Sequence, residues 1–190
     1  MTERIPPIPP HERVGEIAEL LGTCQGEGAL QAAYRDRPPL NVQATLVRNP
    51  ALFRPCTAYA QYLTNGLLSA RDRELAVLRT AVRCRSPYEW AHHYQAAIAA
   101  GVSAAEVDDL GKGIGDWDPH EQALLDAVDQ LHTASTITDE TWRLLHAHYS
   151  EAELIELVML VGQYHAVAYL LNTMGTQADE WLPPTPPLPS

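Results

Sequence analysis

The residues able to do chemistry are concentrated in RDRELAVLRTAVRCRSPYEWAHHYQAAIAAG, residues 71–101. This stretch carries the carboxylic acids Glu74 and Glu89, the imidazoles His92 and His93, and the thiol of Cys84. An imidazole titrates near neutral pH, so it can both accept and donate a proton there. A carboxylate bonded to it fixes its tautomer, whereas a carboxyl held among apolar groups keeps its proton to higher pH. Glu89 and His93 stand at i and i+4, which places them on one face of a helix. His92 faces about 100° away from His93, so only one of the two points squarely into a given pocket.

Each candidate also has an ordinary structural explanation. Ser86 and Glu89 have the spacing of a capping box, in which both side chains satisfy backbone N–H groups. Glu74 can pair with a neighbouring arginine such as Arg71, and His93 can be a hydrogen-bonded core residue. Arg71, Arg73, Arg79, Arg83 and Arg85 crowd the same stretch. Ion pairing explains them, and so does recognition of a substrate carboxylate by the guanidinium fork. Tyr88, Trp90, Tyr94, Tyr164 and His165 can line a pocket or simply pack. Glu89-x-x-His92 has the ligand spacing of di-iron bundles, but such bundles need a second copy and the chain has no other. No stoichiometric metal is therefore expected in the protein.

Two helices must position these groups. Ser69 is a suitable N-cap, and Leu75, Leu78 and Val82 follow at helical spacing to about Arg83. A second helix opens at Ser86-Pro87-Tyr88-Glu89, with proline at its first position, and stops at Gly101. Further cap signals recur along the chain, at Asn49-Pro50, Ser103…Glu106, Asp118-Pro119…Glu121, Asp139 and Ser150…Glu153. Before them, a helix is expected over Glu12–Leu21 with Val14, Ile17, Leu20 and Leu21 inward, and a short one over Ala29–Tyr34. Leu52, Phe53, Cys56, Tyr59, Tyr62 and Leu63 are the apolar positions after Asn49, where Pro55 restarts or kinks the helix. The helix after Asp139 runs through Trp142, Leu144 and Leu145, and Leu154, Leu157, Val158, Val161, Ala168 and Leu171 recur at helical spacing in the last long one. No alternating strand or hairpin signal is found. The reading is an all-α chain of about eight helices.

The stretch 71–101 resembles the carboxymuconolactone decarboxylase and alkylhydroperoxidase D-like family, in particular a branch with Arg-Asp-Arg-Glu-Leu, then Tyr-Glu-Trp and a following His. The resemblance covers residues 41–181 and implies an alkylhydroperoxidase D-like fold. Residues 1–40 then form an N-terminal extension and 182–190 a proline-rich tail, expected to be polyproline-like or disordered. Peroxidase members place a Glu before a Cys-x-x-Cys and a His one turn on. Glu74 takes the Glu position, His93 the His position, and the cysteine positions fall on Ser86 and Glu89. With both thiols missing, disulfide-based peroxidase chemistry has no couple to run on.

The resemblance therefore implies a cofactor-free lyase of decarboxylase type, acting on a small acidic, lactone or cyclic ketone-like substrate. Glu74 and His93 are its expected acid–base pair, with Glu89 orienting the imidazole. It further implies a homotrimer or a hexamer. The alternatives are a non-catalytic ligand-binding or structural oligomer of the same fold, and a thiol peroxidase using Cys84.

Composition narrows the classes of partner. The chain has 190 residues, 46% of them hydrophobic, and a net charge of −11. No basic excess exists to neutralise phosphates, which argues against nucleic acid. Cys24, Cys56 and Cys84 are odd in number and widely spaced, unlike a disulfide framework or a zinc motif. Neither a leader-like segment nor a run of ~18 apolar residues is read in the sequence, so cytoplasmic residence without a membrane is the expectation.

Overall fold

The computed structural model describes residues 2–24 and 37–189. Among them are nine α-helices and no strand. They are α1 (Glu16–Gly22), α2 (Asn41–Leu46), α3 (Pro50–Thr64), α4 (Ala70–Arg83), α5 (Pro87–Ala99), α6 (Ala104–Lys112), α7 (Pro119–Ala134), α8 (Asp139–His146) and α9 (Glu151–Met174). The expected helix over Ala29–Tyr34 lies outside the described residues. The chain divides into two compact units, one of residues 1–66 with 170–181 and one of 67–169 with 182–190.

The first unit has a small apolar core of Ile8, Leu20, Leu21, Cys24, Val47 and Phe53. Its first helix starts later than expected. Gly15 adopts φ 55°, so the chain turns there, only a 3-10 turn precedes it (Pro10–Glu12), and Val14 points to solvent. Of the restart or kink expected at Pro55, the restart does not occur, since α3 runs through it. Along α3, Phe53 and Leu63 are buried, while Leu52 and Tyr62 are exposed. Helix α2 has too few residues to show a period and was not foreseen. The Asp179 carboxylate accepts from its first N–H, at Asn41.

In the second unit, α4 is the central element, packed against α5, α6 and α7. Leu75, Ala76, Val77, Leu78 and Ala81 on it are buried. Ser69 caps it, accepting from the N–H of Asp72 at 3.0 Å. The boxes at Ser103/Glu106 and Ser150/Glu153 form as expected. The cap of α8 is Thr138 rather than Asp139, because its hydroxyl is the group that accepts from the N–H of Thr141. On α8 Leu145 is buried, and Trp142 and Leu144 face out.

Helix α9 is apolar enough to cross a bilayer by length and composition alone, a test that the core helix of a folded domain also passes. Leu154, Leu157, Leu160, Val161 and Ala168 are buried in the fold, whereas Ile155, Val158, Met159 and Tyr169 are exposed. Of the apolar positions recurring at helical spacing, Val158 is the one that faces out. The tail 182–189 lies beside α5, where the Trp90 indole N–H donates to the Pro186 carbonyl at 2.9 Å. Gly111 makes room for this tail, since a Cβ there would meet the Pro189 ring at 2.5 Å.

Candidate active site

The turn between α4 and α5 sets the geometry. Cys84 ends α4, Arg85 takes the left-handed conformation (φ 50°), and the N–H of Ser86 bonds back to the Ala81 carbonyl at 2.9 Å. The chain therefore reverses tightly, and α5 returns along α4. That return brings Glu74 and His93 together: Glu74 Oε2 lies 2.7 Å from His93 Nδ1.

The pair is almost enclosed, with side-chain exposures of 3% for Glu74 and 11% for His93. Arg73 donates from Nε to Glu74 Oε1 at 3.1 Å, so both carboxylate oxygens are engaged. Burial by itself would raise the Glu74 pKa, but the charge and hydrogen bond of His93, with help from Arg73, outweigh it and hold the group below the usual carboxylate range. Arg73, not Arg71, is the arginine beside Glu74; Arg71 is held by Glu121 and Glu106 at 2.6 and 2.5 Å.

Glu89 occupies the opposite situation. It is buried on α5, and its carboxyl oxygens reach hydrogen-bond geometry with no partner among the described residues. Desolvation pushes its pKa up to about 8, with the nearby Ser86 hydroxyl opposing this weakly. The expected capping box at this helix start does not form. Ser86 is fully buried and its hydroxyl accepts no backbone N–H, so proline at the first helical position and the return turn define the start instead. The expected roles thus change places: the carboxylate that holds the imidazole is Glu74, and the carboxyl that keeps its proton is Glu89.

The five expected pocket residues do not converge. Tyr164 meets His93 edge-on at 5.0 Å, and Tyr88 stacks on His92 at 4.3 Å. Tyr94 is half-buried on α5. Trp90 is on the wall of a separate cavity of about 1040 Å³, together with Arg83, Arg85, Pro87, His132 and tail residues Thr185–Pro189. Glu74, Glu89 and His93 do not line it. His165 is bonded to His132, with His132 Nδ1 at 2.9 Å from His165 Nε2. His132 was not singled out from the sequence, because an isolated histidine in a helical pattern carries no spacing signal.

The carboxymuconolactone decarboxylase family model matches residues 50–130, a span that holds the whole Glu74–His93 segment. The chain is thus similar to this family across the segment that carries the candidate site. No curated protein matches it in sequence. The fold is alkylhydroperoxidase D-like, as solved structures of distant sequence show. A peroxidase-related protein of Ralstonia eutropha, with an alkylhydroperoxidase AhpD core, superposes with TM-score 0.76 at 18% identity, covering 94% of this chain and 95% of that one. A peroxidase-related protein of Silicibacter gives TM-score 0.76 at 13% identity, covering 95% of each chain. The debrominase Bmp8, in complex with 2,3,4-tribromopyrrole, gives 0.74 at 14% identity, covering 95% of this chain and 94% of that one.

Proposed function

We propose that this chain is a member of that family and a proton-transfer enzyme of decarboxylase type, acting on a small lactone or cyclic ketone-like carboxylate. The buried 2.7 Å contact between Glu74 and His93 carries the reading. Glu74 fixes the ring through Nδ1, which leaves Nε2 as the atom that exchanges a proton with substrate. Glu89, kept protonated by its apolar surroundings, supplies the second acid. In a decarboxylation the bond to the carboxylate carbon breaks, its electron pair moves into the unsaturated ring and carbon dioxide leaves. A proton then goes to carbon, completing the balance. The chain's own side chains suffice for those steps.

The thiol alternative has less support. Cys84 is half-buried and its pKa is pushed up to about 11, first by burial and then by Glu89, so little thiolate exists near neutral pH. Release of carbon dioxide from carboxymuconolactone and related small lactone carboxylates tests the reading. Wild-type turnover that His93→Ala abolishes supports it. A wild-type chain that turns over none of them overturns it in favour of the non-catalytic oligomer.

A second copy of this chain is the partner we infer for α9. Ile155, Val158, Met159 and Tyr169 form one exposed apolar stripe, and Gly162 between them has open space around it. An unbroken apolar helix face of this kind is what a symmetric interface buries. Trimers or hexamers are expected by light scattering, and Met159→Glu should shift them toward monomer. A monomeric wild-type chain at micromolar concentration overturns the assembly.

A further inference from the structure

A second cluster of potential ligands lies outside the Glu74–His93 site. Cys84 at the end of α4, His132 in the last turn of α7 and His165 within α9 each offer one ligand atom, and these atoms all lie within 4.8 Å of one another. We propose that Cys84, His132 and His165 bind one borderline-soft divalent cation of the Zn²⁺ class, with an open coordination position toward the cavity that His132 lines.

The hydrogen bonds preset the ligands. His165 Nδ1 lies 2.8 Å from the Val161 carbonyl oxygen, which can only accept, so the ring proton sits on Nδ1 and Nε2 carries the lone pair. A ligating histidine held through its other nitrogen by a backbone carbonyl is the usual outer-shell support of a metal site. The 2.9 Å contact between His132 Nδ1 and His165 Nε2 is then a proton shared along one edge of the site. Two nitrogens on a tetrahedral zinc stand about 3.3 Å apart, given bonds of ~2.0–2.1 Å. Replacing that proton by a cation therefore asks only for a small opening of the pair. Thiolate and imidazole together select zinc-like ions over the hard oxygen-seeking ones.

Three protein ligands leave a fourth position free, the arrangement of a reactive rather than a structural zinc. Its surroundings favour an anion there. Asp129 is already held by Arg79 through two bonds of 2.7 and 2.6 Å, and Arg83 leans on the same carboxylate at 3.5 Å. Two guanidinium groups thus share one carboxylate, and Arg83 and Arg85 both border the cavity. A hydroxide or a substrate carboxylate fits that charge. A second group, Asp72, His120 and His148, also brings potential ligand atoms close, but its two rings stack face to face at 3.9 Å and 13°. Stacked rings point their lone pairs along parallel rather than converging lines, so that group serves as the control. The Cys84 cluster departs from the expected absence of metal, since its ligands come from three separate helices rather than from one Glu-x-x-His spacing.

The test is a titration of the chelator-treated full chain with Co²⁺, read by visible absorption, and with Zn²⁺, read by calorimetry. One ion per chain is expected, with the charge-transfer absorption of a cobalt–thiolate bond. Cys84→Ser should remove that absorption, and His132→Gln and His165→Gln should each weaken uptake by at least about tenfold, the least that losing support for a ligand costs. His120→Gln should leave both readouts unchanged, and circular dichroism checks that every variant is folded. His132→Gln, a change beside the cavity, keeps the test valid if a more central variant misfolds. Absence of uptake, uptake without the sulfur absorption, or uptake that His132→Gln leaves intact or His120→Gln removes would overturn the site. The inference stands apart from the proton-transfer reading, because none of its readouts involves turnover.

Discussion

Glu74 and His93 are brought together by two consecutive helices and one tight turn, with Glu89 buried on the second of them, whereas Cys84, His132 and His165 come from three helices far apart in the chain. The first group is closed in, and its two carboxyls are driven in opposite directions by a partner in one case and by the lack of one in the other. The second stands beside a cavity with arginines along its edge. Local spacing can assemble a proton-transfer pair, because a helical hairpin fixes which faces meet. A three-helix cluster exists only after the whole unit has packed, so its parts leave no trace as a motif.

The largest effect that would break this contrast is on turnover. Once a lactone substrate is in hand, Glu74→Gln and His93→Ala should each lower kcat about 10²–10⁴-fold, with helix content unchanged. Near wild-type rates in both variants would remove proton transfer from this pair. Next comes the element both groups depend on. Leu78, fully buried on α4, should cost about 2–5 kcal/mol in stability as Leu78→Ala, measured by denaturant unfolding. A loss well under that range would mean that α4 can collapse around the gap and is not the rigid support described.

A smaller effect, with a definite sign in pH, distinguishes the two carboxyls. Glu89 has a folded-state pKa of about 8 against roughly 4.3 when unfolded, so the folded chain holds the extra proton. Its stabilising contribution is complete below the unfolded pKa and is lost as pH rises through about 8. Wild-type stability should therefore fall between those limits, and Glu89→Gln should flatten the slope. An unchanged slope in the variant would place the titration elsewhere. The smallest effect compares two serines at helix starts. Ser103→Ala should cost about 1 kcal/mol, because its hydroxyl accepts from the Glu106 N–H. Ser86→Ala should change stability by less than about 0.5 kcal/mol, since its hydroxyl makes no such bond. Equal losses at the two positions would restore the capping role at Ser86.

These serines also show where the sequence was legible. Cap residues, backed by Glu three positions on in α5, α6, α7 and α9 and by proline at the first position in α5 and α7, located α4 to α7 and α9 to within a residue or two, because they act through the backbone next to them. At Ser86 the same signal marked the helix start correctly and misassigned the chemistry. Burial of Glu89 takes its carboxylate away from the amide it was expected to accept from. The family resemblance put Glu74 and His93 among the candidates, but did not say which of two glutamates would face the ring. Arg85 in a left-handed turn decided that, and an arginine gives no hint of positive φ. Exposure of Val158 on α9 was equally invisible, since an apolar side chain reads the same in a core and on a face that another subunit covers.

The tail along α5 has an optical consequence. Polyproline-like chain forms no internal hydrogen bonds, so its carbonyls stay free, and Pro186 offers one to the indole of Trp90. That indole is buried at 2% exposure and belongs to the cavity wall. Departure of residues 185–189 would put the ring in water and redden its emission, while Gly111→Ala, by crowding Pro189, would push the resting signal the same way. Trp90 is thus a built-in fluorophore for the state of the cavity, readable before any ligand for it is known.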